Sequence, residues 1–454
     1  MRGRDLNRLV PFIVLTTLLT ALSFTDASAQ IRIADSVRSE FLHAWNGYKK
    51  YAWGHDALLP LTKKPRDWYA SPLYMTPVDA YDVMVLMGLT AEAGAAKQLI
   101  LDSLSFDKNI EVQSFEMTIR LLGGLLSAYE LDGDKRFLVL AEDLTIRLLP
   151  VFNSPTGMPY RYVNLQTGKI RDSINNPAEI GTSLLEFGTL SRLTGNPVYY
   201  QKSKAALVAL YKRRSPIGLV GGWINVQTGE WVDSTSHIGG GIDSYYEYLY
   251  KAWLMLGDED CKQMAEESLN AVNRYVADTT RGGLWYGEVN MFSGKRTGTS
   301  FGSLEAFYPA VLALSGDVER AEALEQSCFR MWTLYHIEPE EIDYSTMTVT
   351  EKPYHLRPEI IESAYYLYRV TGNTTYREMG FTYFNDIVKY CRTDEAYAAL
   401  RDVTTKDKSD EMESFFFAET LKYFYLLFSA PETFNFERII FNTEAHPLRR
   451  IKGK

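Results

Sequence analysis

A repeat of about 60 residues constrains this chain more than any other feature. Five apolar helical stretches end at a glycine followed by aspartate or asparagine, at intervals of 62, 62, 59 and 56 residues: Gly133, Gly195, Gly257, Gly316 and Gly372. Glycine after a helix supplies the left-handed conformation that ends the helix in a turn. A second helical stretch follows each turn, so the predicted repeating unit is a helical hairpin. The 454 residues could form two or three domains, but a constant period favours one closed or stacked array.

A carboxylate stands near the start of four of the helices that run into these turns. Glu116, Glu179, Asp243 and Glu359 lie 17, 16, 14 and 13 residues before the glycine of the next turn. A helix rises about 1.5 Å per residue, so each acid lies roughly 20–25 Å from its turn, at the opposite end of its helix. Repeated hairpins would bring these acids together at one end of the molecule, which is the arrangement of a site.

Further turns near Gly88 and Ser429 bring the series to seven, which predicts an all-α (α/α)7 barrel of helical hairpins. A six-hairpin barrel and an open solenoid are the competing arrangements. The segments 164–169, 225–230 and 290–295 share an asparagine and a glycine at matching positions, which is typical of small β-hairpins. We expect these hairpins at the acidic end of the barrel. Residues 441–448 follow the last helix and are predicted to plug the barrel.

Charge and composition exclude some classes of protein. The net charge is −9 and no basic block is present, so nucleic acid is not an expected partner. Six histidines argue against a transition-metal site built from histidine. The 57 acidic residues and 30 tyrosines suit hard cations and sugars better.

Residues 1–29 resemble a cleavable targeting segment. Three arginines precede an apolar run over residues 9–24, and a small-x-small cleavage motif ends at Ala29. The run is short for a membrane span, which needs about 20 residues, although an uncleaved anchor is the alternative. The sequence therefore predicts a single catalytic domain over 30–454 that is exported to a periplasm or secreted, with an ER lumen as the alternative. No membrane span is expected after cleavage.

Two pairs of charged residues have the spacing of functional groups. Glu116 and Arg120 are four residues apart on one helix face, as in a surface salt bridge. Their apolar neighbours favour instead a desolvated carboxyl that keeps its proton at neutral pH, as a general acid must. Glu359 and Glu362 also share a face, and two close carboxylates raise one pKa or hold a cation. Stabilisation of a helix start by acidic residues is the alternative.

Two further acids stand in unusual surroundings. Asp243 follows three glycines at 239–241, where the backbone can approach a ligand closely. A plain N-cap is the simpler interpretation of Asp243, and the two roles are compatible. Glu419 lies in an apolar helix, where an unpaired carboxylate would be costly, so a partner is expected.

The three cysteines, Cys261, Cys328 and Cys391, lie far apart and lack metal-binding spacing. Buried free thiols are the prediction.

The segments that carry these residues resemble glycoside hydrolase family 47, the class I α-1,2-mannosidases. The resemblance implies an (α/α)7 barrel, one Ca²⁺ at its base, and inverting removal of terminal α-1,2-linked mannose. Matching segments occur in order along nearly the whole mature chain: 104–109, 115–133, 148–150, 155–157, 178–182, 243–248, 356–363, 413–428 and 441–448.

The resemblance also implies roles for individual residues. Glu116 resembles the general acid, which acts through water, and Asp243 resembles a second essential carboxylate that is sometimes proposed for that role. Glu359 resembles the general base, and Thr443 the direct calcium ligand. Phe415 resembles the aromatic residue that stacks on the terminal sugar. The remaining matches are residues that line the sugar subsite or hold calcium-bound waters: Arg120, Glu179, Glu340, Arg357, Glu362, Glu419 and Glu444. Of these, Glu362, Glu419 and Glu444 are expected to contact the metal through water.

Two departures from the family pattern favour a particular subgroup. Gly241 stands where some members have an arginine, which widens the leaving-group side of the site. Ala306 stands where many members have a cysteine, so Cys328 loses its usual disulfide partner. The chain thus resembles the ER degradation-enhancing mannosidases or bacterial relatives.

The sequence therefore predicts a Ca²⁺-dependent, inverting exo-α-1,2-mannosidase that trims high-mannose glycans or α-1,2-mannobiose ends. Its expected partner is a high-mannose oligosaccharide or glycoprotein, and the expected state is a monomer. A lectin-like member that binds mannose glycans without turnover is the alternative, and another α/α-barrel enzyme, such as a lyase or epimerase, is the third reading.

Overall fold

The structure is a computed structural model that describes residues 27–451. Most of the predicted targeting segment therefore lies outside the described residues. The first described helix is Ala27–Tyr51, which spans the predicted cleavage position after Ala29. Within the described range, no helix combines the length and apolar character needed to cross a bilayer.

Helices form most of the described chain. They are α1 (Ala27–Tyr51), α2 (Met75–Leu86), α3 (Thr90–Ser103), α4 (Ser114–Glu116), α5 (Gly123–Asp132), α6 (Lys135–Leu148), α7 (Pro177–Gly181), α8 (Leu184–Thr194), α9 (Val198–Tyr211), α10 (Asp243–Leu256), α11 (Glu259–Tyr275), α12 (Tyr308–Ser315), α13 (Val318–Thr333), α14 (Glu359–Thr371), α15 (Thr375–Cys391) and α16 (Lys422–Phe428). Two π-helical turns, Met117–Leu122 and Phe416–Leu421, run directly into α5 and α16.

Successive hairpins pair α2 with α3, α5 with α6, α8 with α9, α10 with α11, α12 with α13, and α14 with α15. The first helices of these hairpins contact one another in sequence, and α14 contacts α16. The π-helical turn before α16 contacts α2, which closes the ring. The predicted (α/α)7 barrel is confirmed, and the open solenoid and the six-hairpin barrel are wrong.

The seventh helix pair differs from the predicted hairpin. Helix α16 is the last inner helix, and its outer partner is α1 from the opposite end of the chain. Phe417, in the turn before α16, stacks edge-on against Phe41 and Trp45 of α1. The barrel is therefore closed by contacts between the two ends of the chain and not by a local turn.

Short strands surround the end of the barrel opposite the glycine turns, except for the last two strands, which lie at the turn end. They are β1 (Ala57–Leu59), β2 (Lys64–Arg66), β3 (Glu111–Gln113), β4 (Tyr162–Asn164), β5 (Ile170–Arg171), β6 (Ile174–Asn175), β7 (Trp223–Asn225), β8 (Trp231–Asp233), β9 (Thr235–Ser236), β10 (Ala277–Thr280), β11 (Gly283–Tyr286), β12 (Glu288–Asn290), β13 (Arg296–Gly298), β14 (Ser300–Gly302), β15 (Glu341–Asp343), β16 (Thr348–Glu351), β17 (Leu400–Asp402), β18 (Asp407–Lys408), β19 (Ile439–Phe441) and β20 (Pro447–Arg449). The three predicted hairpins are β4–β5, β7–β8 and β12–β13.

Each of these hairpins gains a third strand that leads into an inner helix. Strand β3 pairs with β4, β6 with β7, and β9 with β12, all antiparallel. Glu116, Glu179 and Asp243 follow β3, β6 and β9 within a few residues. We call the strands β3–β9 and β12–β18 the collar. The collar ties the start of each acid-bearing helix to a neighbouring loop, and so fixes where the acid enters the barrel.

The β19–β20 hairpin inserts its loop into the other end of the cavity, as predicted for a plug. Asn442, Ala445 and His446 are fully buried there. A Cβ atom added to Gly123 would lie 2.5 Å from Asn442 Nδ2, and one added to Gly124 would lie 2.7 Å from Val78 Cγ1. The two glycines therefore let the plug and α2 approach α5 closely.

The three cysteines are buried and free, as predicted. Ala306 is buried, and Cys328 has no disulfide partner.

Candidate active site

A cavity of about 280 Å³ opens at the collar end of the barrel and reaches down to the plug. The structure brings together all but one of the predicted site residues on its wall: Glu116, Arg120, Glu179, Asp243, Arg357, Glu359, Glu362, Phe415, Glu419, Thr443 and Glu444. These residues come from five inner-helix starts and the plug. The geometry thus gathers acids that are up to 328 positions apart in the sequence, from Glu116 to Glu444.

Arg120 joins the first acid to the plug. Its Nε donates a hydrogen bond of 2.7 Å to Glu116 Oε2, and its Nη1 donates one to Glu444 Oε1. Asp79 lies 3.7 Å away on α2. Because the Arg120 side chain is only 10% exposed, these ion pairs are largely desolvated, and losing one partner would leave a buried charge.

Phe415 lies between two guanidinium groups on the cavity wall. The Cζ atoms of Arg120 and Arg357 are 5.7 and 5.8 Å from its ring centroid. Arg357 is held in turn by Glu340, through hydrogen bonds of 2.5 and 3.2 Å. Glu340, which the sequence places in the sugar subsite, does not line the cavity and reaches it only through Arg357.

Asp243 and Glu359 face the cavity from different hairpins, and neither forms an ion pair within residues 27–451. Asp243 Oδ1 accepts a 2.6 Å hydrogen bond from the backbone N–H of Ser244. Glu359 Oε2 is buried without a hydrogen-bond partner among the described residues. Burial raises the pKa of Asp243 to about 7, and it raises the pKa of Glu359 to about 7 against the opposing effect of Arg357. Both carboxyls are therefore suited to exchange protons near neutral pH.

Three more carboxyls line the cavity together with Thr443 of the plug. Burial raises the pKa of Glu362 and of Glu444 to about 8, although Lys251 and Arg120 respectively oppose the shift. Burial and the nearby Glu444 raise the pKa of Glu419 as well. Lys251 forms an ion pair with Glu247 and lies 3.9 Å from Glu362. The carboxyls here outnumber the basic groups, and a cation bound among them would favour their ionised forms.

A buried polar network holds the plug against the inner helices. His446 Nδ1 lies 2.7 Å from Asp82 Oδ2, and Lys422 forms a 2.7 Å ion pair with Asp82 Oδ1. Lys422 Nζ also donates to the carbonyl of Ala445, which has a φ of 55°. A non-glycine residue at positive φ is strained, so Lys422 stabilises the conformation that presents Thr443 and Glu444.

The oxygen atoms at the base of the cavity are of the kind that a hard cation prefers. Within residues 27–451, no group of three or more His, Cys, Asp or Glu side chains converges closely enough to hold a metal directly. Oxygen ligands and bound water are what Ca²⁺ prefers. Thr443 offers hydroxyl and carbonyl oxygens, while Glu362, Glu419 and Glu444 are buried carboxyls that line the same cavity. The residues therefore fit a calcium ion held by Thr443 and, through water, by the three acids.

Sequence reasoning missed several cavity residues. Glu247 lines the cavity four residues after Asp243, and the same face-sharing argument that singled out Glu362 could have found it. Gln113 and Asn176 line the cavity and precede Glu116 and Glu179 by three residues each.

Trp68 is another residue near the site that sequence reasoning missed, and no feature of the sequence identifies it. Its ring lies 5.2 Å from Arg120 Cζ, and it reaches the site from a loop outside the repeat.

An α/α barrel with paired carboxyls in a cavity at its decorated end is compatible with glycoside hydrolysis, which uses two carboxyl groups. The model of glycosyl hydrolase family 47 matches residues 40–450. The chain belongs to this family, which confirms the predicted resemblance and sets aside an unrelated barrel lyase or epimerase.

Individual relatives agree with this assignment. The mannosyl-oligosaccharide 1,2-alpha-mannosidase IB of Homo sapiens is 36% identical over 91% of this chain and 69% of the relative. The ER degradation-enhancing alpha-mannosidase-like protein 2 of Homo sapiens is 37% identical over 91% of this chain and 77% of the relative. A solved structure of the α-1,2-mannosidase from Trichoderma reesei superposes with a TM-score of 0.85 at 29% identity, covering 93% of this chain and 99% of that chain.

Proposed function

We propose that this glycoside hydrolase is a Ca²⁺-dependent, inverting exo-α-1,2-mannosidase that removes terminal mannose from high-mannose glycans or α-1,2-mannobiose ends. The observation that carries the proposal is the pair Asp243 and Glu359, two desolvated carboxyls that face one cavity from different hairpins. An inverting glycosidase needs two such groups, separated widely enough to admit a water. The relatives named above supply the linkage and the sugar.

In this proposal the terminal mannose lies against Phe415, and Arg120 and Arg357 fix the surrounding acids. Glu359 accepts a proton from the attacking water as the water oxygen bonds to the anomeric carbon. Asp243 donates its proton to the glycosidic oxygen as the bond from that oxygen to the anomeric carbon breaks. Glu116, acting through a water, is the alternative donor. Asp243 is favoured as the donor because burial raises its pKa to about 7, so it keeps its proton at a pH below about 7. Glu116 instead accepts a charge-assisted hydrogen bond from Arg120, which favours the carboxylate form.

Thr443, with Glu362, Glu419 and Glu444 through water, would hold the calcium ion. When bound, Ca²⁺ would supply oxygen coordination that orients sugar hydroxyls and makes a nearby water more acidic. Export of a monomer to a periplasm or to the medium, or to an ER lumen, belongs to the same proposal.

The test is mannose release from a nine-mannose N-glycan, measured with calcium, after chelation, and after calcium is added back. We expect release with inversion at the anomeric carbon, its loss on chelation and its return with calcium. Calcium binding is followed separately by calorimetry. Release that is insensitive to chelation would contradict the calcium dependence. Glycan binding without release, in a folded calcium-loaded chain, would favour the lectin-like alternative.

A further inference from the structure

Trp223 stands beside the cavity mouth, on the collar sheet formed by β6, β7 and β8. It is 36% exposed, and it is the one exposed tryptophan in the described part of the chain. Strand β6, which pairs with β7, runs directly into Asn176 on the cavity wall. If the terminal sugar of a glycan lies in the cavity, the rest of the glycan extends out through the mouth. The tryptophan lies beside that mouth.

Glu179 connects Trp223 to the cavity. Arg161 holds Glu179 with two hydrogen bonds, of 2.7 Å from Nη2 to Oε1 and 3.0 Å from Nε to Oε2. Gln113 and Asn176 donate further hydrogen bonds of 2.9 and 3.0 Å to Oε1. A carboxylate that already accepts this many hydrogen bonds has little capacity left for a sugar hydroxyl. Its role in this chain is to fix Arg161 at the rim.

Arg161 in turn supports Trp223. Its guanidinium lies 5.2 Å from the Trp223 ring and 5.4 Å from the Tyr162 ring, and Arg171 lies 4.3 Å from the Tyr162 ring. Stacking of this kind holds a side chain in one orientation. One face of Trp223 is therefore covered by Arg161, while the exposed part of the side chain faces solvent above the mouth.

The glycine loop leaves space next to this platform. Gly240 and Gly241 line the same cavity. The atoms nearest to a Cβ built on Gly241, which has a φ of 88°, would be those of Asn176, at 3.7–3.8 Å, whereas a Cβ on Gly240 would lie 2.8 Å from Leu304 Cδ1. At Gly241 the leaving-group side of the mouth is therefore free of a side chain, and a rigid aromatic surface lies beside it.

We propose that Trp223 is a binding platform for the part of a mannose oligosaccharide that remains after the terminal residue is removed. The inference rests on the proposed function, because it assumes a terminal sugar in the cavity. An aromatic ring offers an apolar face to the C–H face of a sugar, and its indole N–H offers a donor to a hydroxyl. Ordering by Arg161 lowers the entropic cost of binding. The platform would favour long oligosaccharides over disaccharides.

The experiment compares kcat/KM for a nine-mannose oligosaccharide and for α-1,2-mannobiose. We expect Trp223→Ala to lower the ratio of the two values by about tenfold, and Trp223→Phe, which keeps an aromatic face, to hold the ratio within about twofold. Phe292→Ala is the matched control, because Phe292 is 54% exposed in the turn of another collar hairpin and does not line the cavity. The control should leave both values unchanged. An equal fall on both substrates would mean that Trp223 only supports Arg161, and would overturn the proposal.

A second measurement separates this proposal from the proposed function. A five-mannose oligosaccharide without α-1,2 linkages is not a substrate, and its binding is followed by calorimetry. We expect the unsubstituted chain and Trp223→Phe to bind it, and Trp223→Ala to lose at least about tenfold in affinity. If the chain releases no mannose at all, the proposed function fails and this binding comparison alone decides the platform. Equal binding by all three proteins, or by none, would overturn the platform.

Discussion

The two ends of the barrel both carry acidic residues, but their environments differ. At the turn end, Asp134 and Asp258 follow the glycines and cap the next helix, accepting hydrogen bonds from the N–H groups of Arg136 and Cys261. Hydrogen bonds from Arg136 lower the pKa of Asp134, and for Asp258 those from Lys204 and Tyr200 outweigh burial and lower its pKa. At the collar end, burial raises the pKa of both Asp243 and Glu359 to about 7.

Within one repeating unit, the acids at the turn end stabilise the fold and those at the collar end are suited to chemistry. An acid that caps a helix and meets cations stabilises the fold as a carboxylate. An acid held in a cavity without an ion pair destabilises the fold when it ionises, and such a cost is typical of functional sites. Substitutions at the collar end should therefore change turnover more than stability, and those at the turn end should do the reverse.

The largest expected effect is from Glu359→Gln at the collar end. Removing a general base lowers the rate by a factor of roughly 10²–10⁴, and the isosteric amide keeps the packing. We expect kcat for mannose release to fall by this factor while calcium affinity stays within error and the melting temperature does not fall. Glu142→Gln is the control, since Glu142 accepts a hydrogen bond from Tyr199 on the outer layer. Unchanged turnover in Glu359→Gln would remove Glu359 from the role of base.

A second prediction concerns the pH dependence of stability at the collar end. Because the folded pKa of Asp243 is raised to about 7 from an ordinary value of about 3.9, its stabilising contribution is complete below the ordinary value. That contribution is lost as pH rises through 7, at a rate of at most about 1.4 kcal/mol per pH unit. Asp243→Asn should therefore gain melting temperature relative to the unsubstituted chain between pH 5 and 8, measured in chelator. A constant difference across this range would show that Asp243 is not protonated in the folded chain.

Removing Asp258 tests the turn end. Asp258→Ala loses the cap at Cys261 and leaves Lys204, whose side chain is 13% exposed, without its closest partner. We expect a loss of about 1–3 kcal/mol in the free energy of unfolding, with kcat unchanged at a temperature where the variant is folded. The sign of the pH effect is opposite to that at Asp243. A lowered folded pKa gives stability that is present above the ordinary pKa and lost as pH falls, so the variant should differ least from the parent at low pH. A fall in kcat without a fall in stability would contradict the conclusion that Asp258 serves stability and not turnover.

Local patterns explain why much of the barrel was predictable from the sequence. The glycine turns repeat at fixed intervals, and the distance from Glu116 or Asp243 to the next turn follows from helix geometry alone. The β-hairpins also carry local turn signals. These features depend on residues that are close in the chain, where a single sequence is most informative.

The features that escaped prediction depend on distant contacts. The pairing of α1 with α16 joins the two ends of the chain and has no local pattern. Asp79 and Asp82 lie in the apolar helix α2, and their partners His446 and Lys422 lie more than 300 positions away. The π-helical turns at Arg120 and Glu419 add a residue to a helix without a sequence signature, although such turns are frequent at functional sites. The roles of the site residues remain predictions, because positions alone do not assign chemistry.

The smallest predicted effect isolates backbone conformation at the turn end. Gly195 ends α8 with a φ of 77°, and a Cβ atom built there would meet nothing within 4 Å. Gly94 lies inside α3, and its Cβ atom would also meet nothing, but its φ is not positive. Gly195→Ala should lower the free energy of unfolding by about 1–2 kcal/mol, because an L-residue is strained in the left-handed region.

Gly94→Ala should raise the free energy of unfolding by about 0.5–1 kcal/mol, because alanine loses less backbone entropy in a helix. Both variants are compared by calorimetric melting temperature, with mannose release as the second readout. Since the two added methyl groups meet equal space, opposite signs in stability can come only from φ. Equal release by both variants and the parent is required if the turn end serves stability alone. Equal stability of the two variants would mean that the turn at Gly195 rearranges to relieve the strain, and that the repeat does not depend on its glycines.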